Sequence, residues 1–141
     1  MDCYYIDLEG TVIDSWQSPI PINLHLRNEL QGKEVIIYSF ALLGQEDMNH
    51  FDMNIRNTIE QTFSCKVKGV VFTGAVCDIL AKEDGVIYED EVDRILYRSQ
   101  IGKTESFLRY IFENGVDDNT YHLFDDTVED RVIDNVRFYK V

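Results

Sequence analysis

The stretch Cys3-Tyr4-Tyr5-Ile6-Asp7-Leu8-Glu9-Gly10-Thr11-Val12 decides the reading of the chain. Its first half is an aromatic and β-branched run of strand length, closed by an acid and followed at once by a glycine-threonine turn. Working outward, the same short apolar character returns four times. Glu34–Ser39 (E-V-I-I-Y-S) reads as a buried strand by its continuous β-branched run, Val67–Phe72 as a third, Tyr121–Asp125 (Y-H-L-F-D) as a fourth that also ends in an acid, and Val136–Val141 as a fifth. Amphipathic stretches separate them. Asn23–Leu30 reads as a short helix with Gly32 past its end. Gln45–Phe63 carries Met48, Phe51, Ile55, Ile59 and Phe63 at helical spacing. Ala75–Lys82 reads as a short helix ended near Gly85. Thr104–Asn114 is a helix with Phe107, Leu108, Ile111 and Phe112 as its buried stripe. Val86–Ile101 stays open: its acidic start, Glu89–Asp93, begins a helix carrying Ile95 and Leu96, or else Val86–Tyr88 and Ile95–Tyr97 are short strands.

Strands separated by helices predict an α/β fold, a Rossmann-like three-layer sandwich with a central, mostly parallel five-stranded sheet and helices on both faces. A chain of 141 residues has enough core for one domain and not for two. No internal repeat, low-complexity tract or linker breaks it, and no apolar run approaches the ~20 residues of a membrane span. Met1-Asp2-Cys3 lacks the basic start of a secretory signal, so the expected location is cytoplasmic, with no membrane partner. Cys3, Cys65 and Cys77 have no metal-ligand spacing and read as reduced packing thiols. With 26 acidic against 13 basic side chains the formal charge is −13. Such a charge repels phosphate backbones at long range and does not favour nucleic acid.

In open α/β sheets, ligands bind beyond the carboxyl ends of the strands, and the chemistry-bearing residues of this chain all fall there. The first strand ends in Asp7-Leu8-Glu9-Gly10-Thr11, the second in Ser39, and the fourth in Asp125-Asp126, while Lys103 precedes the helix that leads into the fourth. The set resembles the haloacid dehalogenase-like (HAD) hydrolase superfamily. That family's motifs are D-x-D-G-T after a hydrophobic strand, a Ser or Thr ending the next strand, a Lys near a helix start, and a pair of acids. All four occur in the family's order and cover almost the whole chain.

The resemblance implies a phosphomonoester hydrolase in which Asp7 attacks phosphorus to form an aspartyl-phosphate. Gly10 would let the backbone turn beside the phosphate and Thr11 would support that loop. Ser39 and Lys103 would bind the phosphoryl group, Lys103 also offsetting the charge of Asp7. Crowded carboxylates require a cation among them, and oxygen-only ligands suit magnesium. By resemblance, Mg²⁺ would be held by Asp7, the backbone carbonyl of Glu9 and one of the acidic pair, with Asp126 favoured and Asp125 standing behind it.

Glu9 is the departure from the pattern. Family phosphatases carry Asp there as the general acid and base. Glu can do the same work with its carboxyl displaced by about 1.5 Å, and a shift of ~1 Å can cost about a hundredfold in rate. The expectation is therefore a slow or specialised phosphatase. The alternative is a catalytically silent relative that binds a phosphorylated ligand or partner. A third reading, an acidic interaction protein whose acids merely face solvent, requires that these groups do not converge. The spans from Val12 to Ser39 and from Thr73 to Gly102 are too short for an inserted cap domain, so the reading is a capless or nearly capless member. An open site of that kind favours large, macromolecular phosphorylated substrates unless an oligomer neighbour covers it. Arg94, Arg98 and Lys103 are close enough in sequence to form a phosphate-attracting rim. Trp16 either stacks on a substrate ring or covers the edge of the core.

Overall fold

The computed structural model describes all residues from Met1 to Val141. The strands are β1 (Asp2–Ile6), β2 (Glu34–Tyr38), β3 (Lys66–Val71), β4 (Thr120–Asp125), β5 (Arg131–Ile133) and β6 (Val136–Lys140). They form one six-stranded sheet in the order β3-β2-β1-β4-β6-β5, parallel except for β5 against β6. The helices are α1 (Arg27–Leu30), preceded by a 3₁₀ turn at Leu24–Leu26, then α2 (Gln45–Asn54), α3 (Arg56–Phe63), α4 (Thr73–Asp84), α5 (Glu91–Ile101) and α6 (Lys103–Asn114). No helix is long and apolar enough to cross a membrane.

Strand alternation sends successive side chains into two separate cores. Ile6, Val35, Ile37 and Phe124 point to one face and pack with Leu30, Phe51, Ile55, Ile59 and Phe63 of α1 to α3. Tyr5, Tyr38, Leu123 and Phe138 point to the other and pack with Val76, Leu80, Phe107 and Ile111 of α4 and α6. Helices thus cover both faces. The connections place β2 and β3 on one side of β1 and β4 on the other, so the crevice between β1 and β4 lies where the winding reverses.

Three expectations need correction, and the one left open is decided. The sheet has six strands, not five: β5 is a three-residue, largely exposed edge strand that folds back on β6 through Asp134, whose φ is 51°. A strand that short carries no alternation to read. Gln45–Phe63 is two helices, broken at Ile55 (φ −122°). There Asn54 donates from its side chain to the His50 carbonyl, local competition of the kind that bends helices. The apolar stripe survives the break, since Phe51, Ile55, Ile59 and Phe63 are all fully buried. Phe112 is 84% exposed rather than part of the α6 stripe. It lies on the Leu108 side of the helix, rotated away from the Phe107–Ile111 line that meets the sheet. Within Val86–Ile101 the helical alternative is the one the chain adopts. Asp90 caps α5 by accepting a hydrogen bond from the Asp93 backbone N–H, and neither Val86–Tyr88 nor Ile95–Tyr97 is a strand.

Candidate active site

Parallel pairing sets the three central strands level at their carboxyl ends: Ile6 lies opposite Ile37 on one side and Phe124 on the other. Asp7 and Asp125 follow at the same height, and Ser39 comes one residue further on, after Tyr38. The Asp7 backbone N–H donates to the Phe124 carbonyl at 3.0 Å, extending the β1–β4 ladder by one rung. Asp7, Glu9, Ser39, Phe40, Ala41, Lys103, Asp126 and Thr127 line a crevice of about 200 Å³ there. A larger groove, of about 360 Å³, lies at the amino ends of β4 and β6, between them and α6, and none of those groups reaches it.

The loop after β1 is tied on itself. The backbone N–H groups of Thr11, Val12 and Ile13 all point to the Leu8 carbonyl, and Gly10 N–H donates to Ile13. Gly10 has a φ of +79°, and a Cβ there would sit 2.8 Å from Cγ of Asp126, so only glycine admits both the turn and the acid beside it. The Thr11 hydroxyl accepts from Asp126 N–H at 3.1 Å and lies 3.3 Å from both the Asp7 and Asp126 carboxylates. From outside, Asn23 donates to the carbonyls of Gly10 and Thr11 at 3.3 and 2.9 Å.

Carboxylate oxygens of Asp7, Asp125 and Asp126 lie within 4.8 Å of one another. Lys103, at the first turn of α6, places Nζ 3.1 Å from Asp7 Oδ1 and 3.0 Å from Asp125 Oδ2. The contact with Asp125 is ionic and lacks hydrogen-bond geometry, since Oδ2 accepts no hydrogen bond. Asp125 is wholly buried, and its other oxygen accepts from the backbone and hydroxyl of Thr127 at 2.7 and 2.6 Å. Asp126 is half-buried and borders the crevice. Burial pushes the Asp7 carboxyl up to about 6; Lys103 opposes that shift and the Asp125 charge adds to it.

Glu9 borders the crevice but stands outside the acidic trio, its Oε2 accepting from the Trp16 backbone N–H at 3.0 Å. Trp16 itself covers the edge of the core, with its ring 4.8 Å from that of His50 and its carbonyl bonded to His50 Nε2. Ser39 is buried, and its Oγ accepts from Ala41 N–H at 3.2 Å. The expected cationic rim does not form. Arg94 pairs with Asp78 and Glu91 at the surface, while Arg98 is completely buried.

Asn23, Thr73 and Thr127 support the site without having been legible as site residues, while Arg98, read as part of a surface rim, lies buried beside Thr73. Thr73, the first residue of α4, lies within hydrogen-bond distance of the carbonyls of Ser39 and Phe40, at 3.4 and 3.1 Å, and accepts from Arg98 Nη1 at 2.8 Å. Only Thr127, two residues past a strand-ending acid, offered a local signal, the side-chain-to-backbone turn that Asp favours.

Three carboxylates, all oxygen donors, suit a hard divalent cation. An octahedral Mg²⁺ with ligands at about 2.0–2.1 Å needs its oxygens within about 4.2 Å of one another, which the trio nearly meets. The donor set therefore fits the magnesium that the sequence resemblance implies. Comparison with protein-family models, with curated proteins and with solved structures gives no match to this chain.

Proposed function

We propose that this protein is a Mg²⁺-dependent phosphomonoester hydrolase of the HAD type, built as a small, capless Rossmann-like sandwich and working through an aspartyl-phosphate on Asp7. The single observation that carries the reading is the convergence of Asp7, Lys103, Asp125 and Asp126, from three distant stretches of chain, on one crevice that Ser39 and Glu9 also line.

The residue roles follow from their surroundings. Asp7, with a carboxyl near 6, is ionised at neutral pH and close enough to its titration point to remain nucleophilic. It forms an O–P bond as the ester P–O bond breaks, and the departing oxygen takes a proton from Glu9 at the crevice mouth. Water then attacks the phosphorus and returns a proton to Glu9, releasing phosphate and restoring Asp7. Lys103 holds Asp7 in place and offsets negative charge, and the Ser39 hydroxyl faces the phosphoryl oxygens. Asp7, Asp126 and the Glu9 carbonyl would hold the metal. Asp125, whose oxygens are taken up by Thr127 and Lys103, fixes that lysine. Bound Mg²⁺ would supply charge neutralisation for the carboxylates and the phosphoryl group.

One observation favours a second reading: Glu9 is held by the Trp16 amide and stands apart from the acidic trio. A protein of this kind binds a phosphorylated ligand or partner without turning it over. A panel of phosphomonoesters with Mg²⁺ separates the two. The hydrolase turns over at least one ester, Asp7→Asn is inactive, and Glu9→Asp stays active or improves. Equal background rates in all three proteins remove the catalytic claim, and phosphate binding without turnover selects the second reading.

A further inference from the structure

Arg98 is 0% exposed, and no carboxylate pairs with it. Its Nη1 donates to Thr73, while Nε and Nη2 have no partner. An ionised side chain buried without a counter-charge is costly, and unsatisfied buried donors are rare in folded proteins. The pattern of satisfaction is specific. Nε and Nη2 share one edge of the guanidinium, the edge that receives an oxyanion through two parallel hydrogen bonds. Thr73 anchors the opposite corner and leaves this fork free.

Two aromatic rings pack against the guanidinium. Phe40 is half-buried, lines the crevice beside Ser39 and Lys103, and has its ring centroid 4.1 Å from Arg98 Cζ and 5.0 Å from Lys103 Nζ. Tyr38 holds the same two cations at 5.0 and 5.3 Å, but it is wholly buried, whereas Phe40 borders solvent. Phe40 thus touches both the buried guanidinium and the crevice.

Building on the reading of that crevice as a phosphate site, we infer that Arg98 binds a second oxyanion on the same ligand, a further phosphoryl group or a carboxylate, with Phe40 closing over the fork when no such group is present. The ligands selected are small phosphoesters that carry a second anionic group. Phe40 meets the cost of the empty state in part, as a cation–π partner for Arg98.

Calorimetric titration of the full chain with Mg²⁺ tests this, using inorganic phosphate, methylenebisphosphonate and phosphonoacetate as probes. Wild type is expected to bind one or both of the probes with two anionic groups at least about tenfold more tightly than phosphate, and the stronger of the two identifies the second group. Arg98→Met is expected to bring that ratio to about twofold or less. A ratio that survives the substitution belongs to the metal or to the loop that Thr73 supports, and overturns the inference. Phosphate binding with no preference in wild type overturns it too, leaving the phosphate site intact, whereas failure of all three probes removes both. Should Arg98→Met not fold, phenylglyoxal labelling decides. Arg98 is expected to react in Phe40→Ala and to be protected there by the preferred two-headed probe but not by phosphate; no reaction, equal protection by both, or no protection overturns the assignment.

Discussion

Lys103 Nζ lies 3.1 Å from Asp7 Oδ1, across a sequence separation of 96 residues. The same ammonium reaches Asp125, so one buried cation serves two buried acids. Removing it leaves both carboxylates without their partner in a site that excludes most water. Lys103→Met is expected to destabilise the metal-free protein by on the order of 3–5 kcal/mol in chemical denaturation, with Mg²⁺ recovering part of the loss. A change below about 1 kcal/mol, the range of a surface pair, would show that the three groups are solvated.

Asp7 links stability to pH. Its carboxyl rises from 3.8 to about 6 on folding, chiefly through burial. A raised acid favours the native state most below 3.8 and progressively less as pH climbs to about 6, because the native form then ionises at a cost the unfolded chain does not bear. Asp7→Asn is therefore expected to stabilise the metal-free protein at pH 7, by about 1–3 kcal/mol, and to flatten that part of the stability profile. Mg²⁺ competes with the same proton, so the rise in melting temperature it produces in wild type should be larger at pH 7.5 than at pH 5. Thermal melts across pH, with and without Mg²⁺, check both statements.

Gly10 tests the packing of the first loop against the fourth strand's acids. Alanine there meets a φ of +79° and the Asp126 carboxylate together. Gly10→Ala is expected to lower stability by about 1–3 kcal/mol and to weaken the response to Mg²⁺, because Asp126 must move. Melting and metal titration on one sample read both effects.

Glu9→Gln separates structure from proton transfer. Glutamine retains an oxygen to accept from the Trp16 amide, so the loop is kept while the acid is lost. For the hydrolase, steady-state phosphate release is expected to fall by about 10²–10⁴-fold with the melting temperature unchanged. Equal rates in the two proteins would take the acid–base role away from Glu9.

How much of this was legible differs from element to element. The β1, β2, β3, β4 and β6 strands were readable because each holds a short stretch of strand length rich in β-branched or aromatic residues, whereas β5 is only three residues long. The stripe Phe51–Ile55–Ile59–Phe63 announced helix, but its spacing carries no trace of the break at Ile55, since a small backbone change leaves all four side chains buried. Asp7, Ser39, Lys103 and the Asp125–Asp126 pair were legible as strand-end or helix-start polar residues. Asn23 and Thr73 were not, and Arg98 was legible only as a rim cation, because a lone polar residue gives no sign of which distant backbone or ring it will meet.

The sequence by itself determined the alternation of strands and helices and which acids close which strands, since apolar periodicity reports local burial directly. Tertiary structure alone decided that β1 lies between β2 and β4, that Asp125 turns inward to Lys103 while Asp126 borders the crevice, and that Arg98 is buried behind Phe40. The reason is physical: whether a charged side chain is solvated, paired or enclosed depends on neighbours brought to it by strand order and helix packing, and those neighbours are remote along the chain.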